Sequence, residues 1–154
     1  MGGHNHSSSI EECIMSKRCI NAAAAPAAIG PYSHAVVAGD LAFLSGQLGV
    51  DPASGALVPG GIEAETRQSL ANVASVLAEL GLTVADVVKT TVFLRDINDF
   101  TRMNAVYAQV FASDCPARSA FQVAALPKGG AVEIEVIALA CRAADAVATR
   151  RVGD

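Results

Sequence analysis

Residues 115–141 constrain the shape and chemistry of this chain more than any other stretch. Two apolar runs of strand character, 119–125 and 131–139, flank Leu126-Pro127-Lys128-Gly129-Gly130, and a proline followed by paired glycines is turn composition. A β-hairpin is expected. Arg118 stands at the mouth of its first strand, and Glu133 and Glu135 lie inside its second. Residues two apart on a strand share a face, so both acids are expected to point with Ile137 and Leu139, and Val132, Ile134, Val136 and Ala138 the other way. An acid among such neighbours costs free energy unless it is paired, hydrogen-bonded or protonated. Two readings are open: a structural ion pair or exposed edge, and a small site in which Arg118 grips an anion and Glu133 handles a proton or water.

With 154 residues, 52% of them hydrophobic and 17% charged, the chain is expected to form one domain with a real core, which excludes a disordered protein. No apolar run reaches the ~18–20 residues of a membrane helix, so a soluble, membrane-free protein is expected. A formal net charge of -4 gives no sequence-wide pull towards nucleic acid. Cys13, Cys19, Cys115 and Cys141 form no C-x-x-C pair and have no histidine at metal-ligand spacing. They read as free thiols of a reducing, cytoplasmic compartment, with no metal. Residues 1–14, with His4 and His6 among glycines and serines, read as a disordered leader or extension. The domain is placed at 15–143, and 144–154 as a flexible tail.

Along the domain, 17–21 is a weak first strand, and Gly39-Asp40 between two apolar runs signals a hairpin turn. The second of those strands stops at Ser45-Gly46-Gln47, where Gly46 either allows a close backbone approach or marks a bulge. From Ile62 the period changes to three and four: Ile62, Thr66, Ser69, Leu70, Val73, Val76, Leu77 and Leu80 form the stripe of an amphipathic helix, and Gly81 stands where a left-handed cap belongs. Asn72 on this helix is expected to be solvated, the alternative being contact with a turn or a partner chain. Residues 83–86 can cap a short turn, and 87–94 is rich in β-branched residues and expected to be a strand. A second helix carries Phe100, Met103, Val106, Tyr107, Val110 and Phe111, with Asn98 or Asp99 as its cap and Asn104 off the stripe, by default on the surface. The order β-β-β-α-β-α-β-β suits an α+β sheet with two helices on one face. Apolar residues on both strand parities, such as Phe121 and Val123 or Val132 and Ile134, then favour a homo-oligomer that covers the other face.

Ala28-Ile29-Gly30-Pro31-Tyr32-Ser33, Ser45-Gly46-Gln47, Asn104 to Tyr107, Pro116-Ala117-Arg118-Ser119, and Leu126-Pro127 with Val132-Glu133-Ile134-Glu135 together resemble the RidA (YjgF-type) reactive intermediate deaminases. The resemblance implies a chorismate-mutase-like α+β subunit, a homotrimer with sites between subunits, and cofactor-independent hydrolysis of 2-imino acids and their enamine tautomers, such as 2-iminobutanoate and 2-iminopropanoate. It implies that Arg118 binds the substrate carboxylate, that Glu133 moves protons, and that Tyr32, Ser45, Gly46 and Asn104 complete the pocket. The sequence departs from the family pattern at Ala120, where many members have cysteine, and at His34, often glutamine. His34 is expected on the sheet or the rim, with a pocket role as the alternative. A non-catalytic carboxylate-binding protein, an RNA-acting translation inhibitor and a chorismate mutase are the rival readings.

Overall fold

The second apolar run of the 115–141 stretch does become a strand, but its neighbours differ from those of a hairpin. A computed structural model describes residues 17–140. What the sequence leads one to expect of residues 1–16 and 141–154, including Cys13, Cys141 and the leader histidines, lies outside the described residues. The strands are β1 (Arg18–Ile20), β2 (Ala35–Ala38), β3 (Leu41–Leu48), β4 (Val87–Leu94), β5 (Ala117–Gln122) and β6 (Val132–Leu139). The helices are α1 (Gly61–Glu79) and α2 (Phe100–Val110).

The six strands form one sheet in the order β1-β2-β3-β6-β4-β5. β2 and β3 pair antiparallel across the Gly39-Asp40 turn, as the sequence signals. β5 and β6 are not partners: β4 lies between them, parallel to β5 and antiparallel to β6. The hairpin expectation is therefore wrong, and the reason is competition for the central position. β4, the β-branched run, pairs along both edges, and its crossover through α2 brings β5 in parallel on its outer side. The segment after β5 then steps across the end of β4, where Arg95 N donates to Ala131 O at 3.0 Å and Val123 N to Leu94 O at 2.9 Å. Its proline and glycines shape a 3-10 turn, Pro127–Gly129, instead of a strand reversal.

The helices form where the apolar period predicts, but their caps differ in detail. Gly81 takes φ +69 and its N–H, with that of Leu82, closes the end of α1 onto Ala78 O and Leu77 O. Thr83 and Asp86 make a capping box for a 3-10 turn. Before α2, Asp99 makes no side-chain cap; Asp96 accepts from Asn98 N and orders a 3-10 turn that leads into the helix. Both helices cover one face of the sheet. Val132, Ile134, Val136 and Ala138 of β6 are buried on that side with Leu70, Val73 and Leu77 of α1 and Met103 and Tyr107 of α2. The opposite face has no helix among the described residues, and there Phe43, Phe121 and Leu139 are 42%, 44% and 46% exposed. No described helix is long and apolar enough to cross a membrane.

Candidate functional site

A cavity of about 560 Å³ opens beside the end of β3 and the start of β6, lined by Tyr32, Ser45, Gly46, Leu48 and Glu133, with Pro26, Ile29, Val50 and Lys128 among its other walls. The register of β3 against β6 shifts between Leu44 and Gln47, so Ser45 and Gly46 fall out of the ladder and border the cavity. Ser45 is stitched to the segment before β2: its Oγ donates to Ser33 O at 2.7 Å and its N–H to His34 O at 2.9 Å. With that hydrogen committed, the hydroxyl offers its remaining lone pairs. A Cβ on Gly46 would collide with the Glu133 carboxyl, whose Cδ would lie 2.8 Å away. The two readings of Gly46, a bulge and a close approach, thus describe one place.

Glu133 begins β6 half-buried, opposite Leu48 of β3 and Phe93 of β4. Burial pushes its carboxyl above the ordinary value, and Glu135 on the same face adds to the shift. No ion pair to Glu133 forms among the described residues. At the rim Lys128 adopts φ +58 and donates from Nζ to Gly55 O at 2.9 Å, tying two loops together. The sequence reading assigned Lys128 only to a turn; a cation between a proline and paired glycines was the available signal.

Arg118 stands elsewhere. It lies on β5 opposite Thr90 of β4, with Nη1 donating to Asn104 Oδ1 at 2.7 Å and the guanidinium 4.7 Å from the Tyr107 ring centre and 5.5 Å from that of Phe100. Tyr107 in turn shares a 2.8 Å hydrogen bond with Thr90. Burial raises the Tyr107 phenol above its ordinary pKa, opposed by that bond and by the Arg118 charge. Asn104, expected by default on the surface, is half-buried and orients Arg118. Asn72, expected in solvent, is instead 1% exposed and donates from Nδ2 to Leu48 O and Val50 O. Asn72 thus meets the end of a strand, which neither expectation named. His34 is a buried sheet-end residue whose Nδ1 accepts from Ala22 N at 2.9 Å; it does not line the cavity. Ala120 packs against the core.

One chain therefore brings Tyr32, Ser45, Gly46 and Glu133 together, and separately Arg118 and Asn104. Cross-strand partners share a face, so Arg118, Thr90 and Val136 belong to the helix side, whereas Glu133 and Phe93 belong to the open side. Neither Arg118 nor Asn104 lines the cavity.

This mixed sheet with two helices on one face is the fold of a group of small α+β proteins. The crystal structure of the yjgF gene product from E. coli matches with a TM-score of 0.75 at 46% identity, covering 79% of this chain and 98% of that one. E. coli TdcF with bound serine matches with the same TM-score at 43% identity and the same coverage. The family model described as Endoribonuclease L-PSP matches residues 22–140. A Capra hircus protein named 2-iminobutanoate/2-iminopropanoate deaminase is 58% identical over 123 residues, 80% of this chain and 90% of its own length. The Homo sapiens protein of that name is 52% identical with the same coverage. The chain belongs to this family, the RidA/YjgF family.

Proposed function

We propose that the protein is a cofactor-independent 2-iminobutanoate/2-iminopropanoate deaminase, acting as a homotrimer in which Arg118 and Asn104 of one copy face the Glu133 cavity of the next. The observation that supports this most is Glu133, a half-buried acid of raised pKa without an ion-pair partner among the described residues, in a chain 50–58% identical to five mammalian proteins named for that activity. The apolar residues left on the open sheet face support assembly.

In this reading the guanidinium, with one donor held by Asn104, presents the rest of its fork to the substrate carboxylate. Tyr32 and the Gly46 backbone amide complete the pocket, and Ser45 Oγ accepts from the iminium N–H. Glu133 takes a proton from water as the oxygen attacks the iminium carbon, returns it to the nitrogen of the tetrahedral adduct, and takes up the hydroxyl proton as the C–N bond breaks and the carbonyl forms, releasing that last proton to solvent. The products are a 2-oxo acid and ammonia. A raised pKa suits a group that must accept and then give up a proton near neutrality. The serine bound in the TdcF structure carries an α-carboxylate like that of the proposed substrates.

The test generates 2-iminobutanoate in place with a threonine dehydratase and traps surviving imine with semicarbazide. Wild type is expected to suppress trapping, and Arg118→Ala to match the blank. Trapping unaffected by wild type over several imino acids would leave a carboxylate-binding protein as the better account.

A further inference from the structure

The outgoing end of β3 is held by α1 as well as by the sheet. Beyond the register shift only Gln47 and Leu48 pair with β6, opposite Ile134 and Glu133. Ser69 Oγ donates to Gln47 O at 2.7 Å, and Asn72 Nδ2 spends its two hydrogens on Leu48 O at 3.1 Å and Val50 O at 2.8 Å. Asn72 Oδ1 accepts from Gln68 Nε2 at 2.9 Å, so the amide is fixed from behind. The contact needs a close approach of strand to helix, which Gly49 provides: a Cβ there would lie 2.5 Å from Glu65 Cα. Leu48 and Val50 are walls of the cavity, and Leu48 is the cross-strand partner of Glu133.

The geometry points to Asn72 as a positioning residue for Glu133, holding Leu48 and Val50 in the cavity wall and so controlling how much water reaches the carboxyl. This rests on the proton-transfer role proposed for Glu133. An amide is suited to the place because its nitrogen carries two hydrogens, one for each of the two backbone carbonyls it meets. Its influence on Glu133 has to pass through the wall, since Asn72 lies on α1 and, among the described residues, its side chain bonds to Gln68, Leu48 O and Val50 O. The titratable groups around Glu133 are Glu135 on its own strand and Tyr32 and Lys128 lining the cavity; β3 and β4 place the uncharged Leu48 and Phe93 opposite it.

The test follows the Glu133 carboxyl directly by carbon-detected NMR titration of the full-length protein, in wild type, Asn72→Ala and Ser69→Ala, beside the pH profile of imine hydrolysis. In Asn72→Ala the Glu133 titration is expected to fall towards the ordinary carboxylate range by about half a unit or more as water enters. The acid limb of the rate profile should fall with it. Ser69→Ala removes one of the three links and should shift both in the same direction by less, and it decides the matter if Asn72→Ala does not fold. An unmoved Glu133 titration in the folded variants, with only the melting temperature lowered, would overturn the proposal and leave Asn72 a structural residue. A moved titration in a protein whose wild type hydrolyses no imine would uphold the positioning and reject the proposed activity.

Discussion

Glu133 holds its proton more tightly in the folded chain than in the unfolded one, because burial and Glu135 both penalise its ionised form. As pH rises, the unfolded state ionises first and the folded state binds more protons across the window from the ordinary carboxylate pKa up to the raised one. Stability contributed at this residue therefore falls as pH rises through that window. Glu133→Gln is expected to melt higher than wild type at neutral pH and to coincide with it below the window, as thermal unfolding across pH will show. Its imine hydrolysis should drop by about 10² to 10⁴. Gly46→Ala drives a methyl into the same carboxyl. Overpacking of that kind costs about 1–3 kcal/mol, which denaturant unfolding would measure, with activity falling as Glu133 is displaced.

At the scale of elements, period and caps made α1 legible: its stripe reaches the core and Gly81 ends it left-handed. Gly81→Ala is expected to destabilise the protein by about 1 kcal/mol in denaturant unfolding, since the alanine must adopt that same positive φ. Two polar helix residues were misplaced by the same reasoning. Asn104 lies off its apolar stripe, whereas Asn72, three residues after Ser69 and four before Val76, stands on the buried face of α1, and helical spacing alone does not say what either side chain meets. What they meet there, the carbonyls of a departing strand end and a guanidinium from β5, comes from elements distant in sequence. The 115–141 stretch failed differently. Both strands and the turn chemistry were readable, but local sequence does not state that a third strand comes between them.

At the scale of the whole molecule, one chain places Arg118 and Glu133 on opposite faces of its sheet, and in the proposed trimer the pair forms between copies. Arg118→Ala and Glu133→Gln, each inactive alone, should then regain activity when unfolded together and refolded as mixed trimers. About one site in three of every mixed trimer would have both groups intact, as the cyclic arrangement requires. Restored activity in the semicarbazide assay supports the shared site; none from trimers of verified mixed composition would refute it. Burying the exposed Phe43, Phe121 and Leu139 is what such an assembly would accomplish.

The sequence by itself determined the element order, the Gly39-Asp40 hairpin, and the alternation that buries Val132, Ile134 and Val136 while turning Glu133 to the other face. These follow from periodicity, turn chemistry and recurring motifs, all short-range properties of the chain. Only the tertiary structure decided that β4 separates β5 from β6, that a bulge presents Gly46 to Glu133, that α1 holds the end of β3, and that Arg118 and Glu133 lie on opposite faces. Those outcomes depend on which strands win the central positions of the sheet and which carbonyls find donors, contests between residues as far apart in sequence as Leu44 and Val136 that no local pattern records.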